Sequence, residues 1–430
     1  MIKINRIRLA VFYLLDTLTG SKKKANYTDI KNIIENSNIL EIKKKKERYL
    51  LDILQHATKT TLYYKNVTNC KALNSFPVIN KNIIKSKFNE FESITYKTKK
   101  KWSAKTSGST GTPFKTYKDA SKIQRNIADN LYFSDQAGYT LGNKLYYFRM
   151  WDAFGKNSFL TNWLKNIIPI DVFEFNNAFL AKFLSNLKYS KEPKSWIGYA
   201  STFEQISKYL DKTNAEPINC NLKSVIAISE SLNDYTKESL KKHFGVNTVS
   251  RYSNIENGII AQQFKNTDYF VINTASYHVE LLELESDTPV KNGKKGRIIV
   301  TDLFNYCVPM IRYDTGDIGI MDEINGKLVL SKVYGRKIDT IMNTSGEIIS
   351  NNIMLLVNKY HELNQCQLIQ KEKNKYLFKI NITGEFNDEL KFIMEFKSHL
   401  GSDAIIEIEY VDEIPLLASG KRRVMVNEMN

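Results

Sequence analysis

The densest concentration of potential chemistry lies in Lys105-Thr106-Ser107-Gly108-Ser109-Thr110-Gly111-Thr112-Pro113. Small hydroxyl residues alternate there with two glycines, Gly108 and Gly111. Glycine lets a backbone bend through conformations closed to other residues and approach a ligand closely. Hydroxyls and exposed backbone amides can surround phosphate oxygens. The stretch therefore reads as a phosphate-holding loop. No Gly-Lys-Ser/Thr follows Gly108 at the spacing of a Walker A loop. Composition alone equally fits a polar Ser/Gly linker. Lys97, Lys99, Lys100 and Lys101 precede the loop. They form either a solvated face or a local attraction for nucleotide.

The loop needs a frame. Phe114-Lys115-Thr116-Tyr117 alternates and reads as a strand after it. Ile39 to Thr58 predicts a helix, with Leu40, Ile42, Tyr49, Leu50, Ile53 and Leu54 on one face. Lys122 to Ala137 predicts another, followed by a buried strand over Lys144 to Met150. Short apolar runs then alternate with helical segments: Ser195 to Gly198, Thr202 to Leu210, Ser224 to Ile228, Tyr235 to Phe244. That rhythm predicts α/β layers with much parallel sheet. Strands are expected over 279–285, 297–302, 318–321 and 327–333, with Asn325-Gly326 turning the last pair. The tail predicts strands over Tyr376 to Ile382 and Ile405 to Tyr410, and a helix around Asn387 to His399. A domain boundary is expected near Tyr334 to Asp339. The apolar run Ile7 to Leu18 sits between Arg6, Arg8 and Lys22-Lys23-Lys24. It predicts a helix, packed on the body or resting on a membrane as a peripheral foot.

A chain of 430 residues suits a large domain plus a smaller one. The net charge of +16 favours acidic partners such as nucleotides, nucleotide sugars or anionic lipid. No nucleic-acid reader motif accompanies the charge, so a nucleic-acid partner is not expected. Cys70, Cys220, Cys307 and Cys366 are scattered, which suits a reducing cytoplasm. No apolar run is long enough to span a bilayer.

Thr106 to Pro113 resembles the signature loop of the adenylate-forming enzymes, which include acyl-CoA synthetases and luciferases. Companions follow in the family's order. Tyr252-Ser253-Asn254-Ile255-Glu256 resembles its Tyr-Gly-x-Thr-Glu. Arg312-Tyr313-Asp314-Thr315-Gly316-Asp317 resembles its Tyr-Arg-Thr-Gly-Asp. Gly335-Arg336-Lys337-Ile338-Asp339 resembles its Gly-Arg-x-Asp-Asp hinge, and Ser419-Gly420-Lys421 its terminal Ser-Gly-Lys. Phe76-Pro77-Val78-Ile79-Asn80-Lys81, Gly198-Tyr199-Ala200-Ser201 and Pro309-Met310-Ile311-Arg312-Tyr313 resemble the phenylacetate–CoA ligase-like branch. Within it, the similarity is to the CapK-like group associated with surface-polysaccharide synthesis.

The resemblance implies a large multi-layer α/β N-terminal domain, residues 1–334, binding ATP and a carboxylate. A small α+β C-terminal lid, residues 335–430, would rotate over it. Joining a carboxylate to the α-phosphate of ATP brings two anions together, so such a site needs phosphate donors, a metal and a cation. By resemblance, Thr106, Ser107, Gly108, Ser109, Thr110, Gly111 and Thr112 hold phosphates. Glu256 holds Mg²⁺, which prefers hard oxygen. Ser229, Glu230, Ser231 and Tyr252 line the adenine site, and Ser253 also contacts the nucleotide. Asp317 and Arg336 bind ribose, and Lys421 is the catalytic cation and also contacts the nucleotide. Thr106 and Glu256 join Lys421 as catalytic residues. CoA is a further cofactor if the acceptor is its thiol.

Departures from the family pattern are specific. Ala261-Gln262-Gln263-Phe264 carries no Cys, so no zinc site is expected. Ile338 stands where the hinge has Asp or Lys, and Asp339, which follows it, is the alternative hinge residue. The loop Thr344-Ser345-Gly346-Glu347 puts an acid beside the channel expected for CoA. The expected function is carboxylate activation and acyl transfer to a thiol or amine, with a sugar or nucleotide sugar as one acceptor class. The alternative is a nucleotide-binding scaffold in polysaccharide assembly. Trp151, Phe154, Phe173 and Phe175 are either pocket-lining or core aromatics.

Overall fold

The computed structural model describes residues 2–36, 39–105, 114–149, 151, 159–172, 175–336, 341–347, 349, 351–360, 362–415 and 423–429. Its strands, in chain order, are β1 (Trp102–Lys105), β2 (Lys115–Lys118), β3 (Lys144–Arg149), β4 (Ile167–Asp171), β5 (Lys194–Tyr199), β6 (Leu222–Ile228), β7 (Thr248–Asn254) and β8 (Gly258–Gln263). They continue with β9 (Phe270–Ile272), β10 (Tyr277–Leu282), β11 (Lys295–Asp302), β12 (Tyr313–Ile324), β13 (Lys327–Arg336), β14 (Leu363–Glu372), β15 (Lys375–Ile382), β16 (Ile405–Tyr410) and β17 (Met425–Asn427). The chain forms two compact units. The larger takes Met1–Thr106, Pro113–Thr315 and Gly319–Val333, and the smaller includes Gly316–Ile318 and Tyr334–Asn430.

An 11-stranded sheet has the order β10-β11-β12-β13-β9-β8-β7-β6-β5-β3-β4. From β7 to β4 neighbouring strands run parallel. Helices Phe159–Lys165, Asn177–Tyr189, Ala200–Lys212 and Asp234–Phe244 make the crossovers that parallel pairing demands. The remaining neighbours whose registers are resolved are antiparallel, as in β7–β8, β8–β9 and β10–β11. Parallel sheet is thus one part of a mixed sheet.

Local chemistry sets the element ends. Asn233 Oδ1 accepts from Thr236 N at 2.8 Å to start Asp234–Phe244, and Gly245 ends it at φ 65. Asp119 Oδ1 accepts from Lys122 N at 3.0 Å to start Ala120–Gln136. Asn325 and Gly326 have φ 52 and 71, the paired left-handed conformations of a tight hairpin turn. In the helix Leu40–Thr60, Ile42, Ile53 and Leu54 are buried as expected, whereas Leu40, its first residue, is exposed.

Under the parallel strands Phe148, Trp196, Phe203, Leu184, Leu210 and Leu240 form one core. Gly198 is required there, because a Cβ on it would lie 2.7 Å from Phe148 Cβ. The smaller unit has a sheet ordered β16-β15-β14-β17. Helix Glu389–Leu400 packs on it through Phe392, Phe396 and Leu400, against Tyr376 and Phe378.

Candidate active site

Open parallel sheets receive ligands beyond the carboxyl ends of their strands. Here β5, β6 and β7 end at Tyr199, Ile228 and Asn254, and candidate residues follow each. After β6, Ser229 adopts φ 71, which turns the chain and leaves Ser229 and Ser231 exposed. Glu230 Oε2 accepts from Ser201 N at 2.8 Å, in the first turn of Ala200–Lys212. A carboxylate suits a helix N-terminus, and this one ties the loop after β6 to the start of the helix after β5. On β7 a bulge separates Tyr252 from Ser253. The half-buried Tyr252 donates through its hydroxyl to Thr315 Oγ1 at 3.1 Å, and Thr315 donates to Ile298 O at 2.9 Å.

Glu256 lies in the turn between β7 and β8, with its side chain 1% exposed. Its Oε1 accepts from Tyr313 Oη at 2.6 Å and pairs with Lys81 Nζ at 3.0 Å. Its Oε2 has no hydrogen-bond partner among the described residues. A buried carboxylate oxygen without a partner is unfavourable, and a hard cation would satisfy it. Among the described residues no three His, Cys, Asp or Glu side chains converge on one point. Glu256 thus fits a metal held through one carboxylate plus ligand phosphates, as Mg²⁺ commonly is.

Distant segments bring these groups together. Asn80 Oδ1 accepts from Asn82 N and Ile83 N, both at 3.0 Å, and so starts the helix Lys81–Ser86. Ile79 forms a parallel bridge with Tyr313, through Ile79 N to Arg312 O at 3.1 Å and Asp314 N to Ile79 O at 2.7 Å. Arg312 holds φ 51, unusual for a residue with a side chain. Its Nη1 donates to Phe76 O at 3.2 Å and its Nε to Glu280 Oε2 at 3.4 Å. Arg312 therefore works as a clamp that fixes Lys81 and Tyr313 about Glu256.

Beneath the turn, Lys118 Nζ donates to Ile255 O at 2.6 Å. Burial, helped by the charge of Lys122, pushes the Lys118 pKa down to about 8 against the pull of Asp302 and Glu256. Lys122 and Asp302, both fully buried, pair at 2.7 Å. Gly258 closes the turn at φ 120, where a Cβ would meet Asn126 Oδ1 at 3.0 Å and Tyr277 Oη at 3.1 Å.

The other candidates are placed as follows. Asp317 is half-buried on β12, after Gly316 at φ 77, and Arg336 is the last residue of β13. Thr106, Ser107, Gly108, Ser109, Thr110, Gly111, Thr112 and Lys421 lie outside the described residues, as do Ile338, Phe154 and Phe173. The antiparallel hairpin of β1 and β2 brackets the loop, with Lys105 opposite Lys115. Trp151 is buried and donates through Nε1 to Tyr147 O at 3.1 Å, and Phe175 packs on the aromatic core. Both are core. Glu347 is exposed and folds back on its own turn, its Oε2 accepting from Asn343 Nδ2 at 3.1 Å.

Lys81, Tyr313 and Lys118 had no role assigned from sequence. The first two sit inside stretches that carry the family resemblance. The period-two burial of β2, with Thr116 and Lys118 inside, was the available signal for the third.

Residues 341–428 match the CapK C-terminal domain family. Protein CapK of Staphylococcus aureus is 22% identical over 94% of this chain and 93% of its own. The chain is thus similar to CapK along nearly its whole length, and its fold is that of an acyl-CoA ligase. It is similar in structure to 2-hydroxyisobutyryl-CoA ligase in complex with 2-HIB-AMP, with a TM-score of 0.69 and 14% identity over 90% of both chains. It is also similar to ATP-bound MatB from Rhodopseudomonas palustris, with a TM-score of 0.53 and 14% identity over 75% of this chain and 66% of that one.

Proposed function

We propose that this CapK-like chain is an ATP-dependent carboxylate-activating ligase. A substrate carboxylate oxygen attacks the α-phosphorus of ATP, and the bond to pyrophosphate breaks. A thiol or amine then attacks the acyl carbon and AMP leaves. The observation that carries the proposal is Glu256, a buried carboxylate with one oxygen engaged and the other without a partner. It lies one turn beyond the parallel strands, among five motifs in the family's order. A CoA ligase in complex with 2-HIB-AMP and ATP-bound MatB share the fold, which supports the same chemistry here.

In this reading residues 1–334 bind ATP and the acid, and residues 335–430 act as a lid. Glu256 would hold Mg²⁺ through Oε2, and the ion would neutralise phosphate charge. Thr106 to Thr112 hold the phosphates, Tyr252 and Ser229 to Ser231 flank adenine, and Asp317 and Arg336 take the ribose. Lys421 stabilises the charge that develops during adenylation. The motif resemblance to the CapK-like group favours a role in surface-polysaccharide synthesis, with the acyl group placed on a sugar or a uronic acid itself activated, and the four scattered cysteines favour the cytoplasm.

The test is exchange of labelled pyrophosphate into ATP across a panel of carboxylic, amino and uronic acids. Exchange is expected with one acid class only, and only with Mg²⁺ present. Nucleotide binding without exchange on any acid favours the scaffold reading instead.

A further inference from the structure

The N-terminal helix, Ile2–Leu18, is attached along one face. Asn5 Nδ2 donates to Asn143 Oδ1 at 3.2 Å, and the Arg8 guanidinium lies 5.5 Å from the Trp163 ring centre. Phe12 is buried. Asp16 is buried too and accepts from Lys23 N at 3.0 Å and Lys24 N at 2.9 Å. The opposite face carries Ile4, Ile7, Leu14, Leu15 and Leu18, all exposed, Leu18 by 74%. At 3.6 residues per turn these five fall in one stripe along the helix. Contiguous apolar surface of this kind marks a site of contact.

The charges around the stripe select its partner. From residue 2 to residue 28 the sole acid is Asp16, which is buried and bound to backbone amides. Arg6, Lys22 and Lys24 are exposed. A second copy of the helix laid on the stripe would face these cations with its own. An anionic bilayer would offer them phosphates while its acyl boundary took the leucines. Trp163, 48% exposed beside Arg8, is the kind of amphipathic ring that concentrates at headgroup level. Among the described residues no helix is long and apolar enough to cross a membrane, so the contact would lie in the plane of the surface.

We propose that the helix Ile2–Leu18 is a peripheral foot that docks the chain on anionic phospholipid. The inference is independent of the proposed adenylation and can fail or hold without it.

The test is flotation of the full-length chain with vesicles of phosphatidylcholine alone or mixed with phosphatidylglycerol. Binding is expected only to the anionic vesicles, weakening as salt rises. Leu14→Glu combined with Leu18→Glu should abolish it. Arg6→Gln and Lys24→Gln should each weaken it about fivefold, the scale of one basic residue near an anionic surface. All four positions are exposed, so thermal unfolding and pyrophosphate exchange should match the unaltered chain. Equal binding to both vesicle types, no binding to either, or binding that survives the double leucine variant overturns the proposal. So does a dimer in solution that the double leucine variant dissociates, because the stripe would then belong to a second copy.

Discussion

At Glu256 the two carboxylate oxygens are treated differently by the fold. Tyr313 and Lys81 hold Oε1, so the carboxylate cannot rotate freely, and Oε2 keeps one direction. Groups that orient a ligating side chain typically change metal affinity by about 10- to 100-fold when altered. Tyr313 is fully buried, and a hydrogen bond to a charged group contributes about 1.5–3 kcal/mol. Tyr313→Phe should therefore lower stability by about that amount in denaturant unfolding. It should also raise the Mg²⁺ concentration for half-maximal pyrophosphate exchange about tenfold or more. A stability loss with an unchanged Mg²⁺ requirement would leave Tyr313 a purely structural partner and take the metal away from Glu256. Glu256 was legible from the residues around it. Lys81 was not, because its partnership depends on the bridge from Ile79 to Tyr313 and on the Arg312 clamp, and both are long-range.

Among the elements, the β5-to-helix junction shows how tightly the site is built. Gly198 sits on β5, where an added Cβ would lie 2.7 Å from Phe148 Cβ and 3.1 Å from Phe148 O. Gly198→Ala should force β3 and β5 apart and cost about 1–3 kcal/mol, the scale of overpacking. Gly245 is the control. It has open space for a Cβ but φ 65, so Gly245→Ala meets only backbone strain, about 1 kcal/mol. Thermal unfolding of the two variants should rank Gly198→Ala as clearly the weaker. Equal losses would mean that β3 and β5 can shift apart without penalty. Short apolar runs and helical periodicity were legible, as in β5, β6 and the helices after them. β14 was not. No element was expected over it, because Asn364, Gln365, Gln367 and Gln370 interrupt any apolar alternation, yet Gln370 is fully buried, with its Oε1 accepting from Met342 N at 2.8 Å. A polar side chain with a backbone partner defeats a hydrophobicity pattern. The antiparallel half of the large sheet was also understated, since β8 and β9 are short and carry little alternation of their own.

For the molecule as a whole, the proposed division of labour puts phosphate, metal and adenine contacts on the first 334 residues and the catalytic cation, Lys421, on the tail. A contact made mainly in the transition state lowers kcat when removed and leaves ground-state binding nearly unchanged. Lys421→Ala should then cut adenylate formation by about 100-fold or more, the scale of losing one preorganised stabilising donor. AMP affinity, measured by calorimetry, should change little. Transfer from a chemically supplied acyl-AMP should survive, because the proposed lid would present other residues in that step. Both half-reactions must be measured on the same variant. If they fall together, Lys421 serves both, or the tail does not alternate. Ile338, where the family's hinge carries Asp or Lys, gives the second outcome a physical basis: an apolar side chain cannot exchange polar partners between two lid positions. Replacing it, as Ile338→Asp, separates the two. Recovery of transfer alone in the Lys421→Ala background points to the hinge, and no recovery points to Lys421 itself.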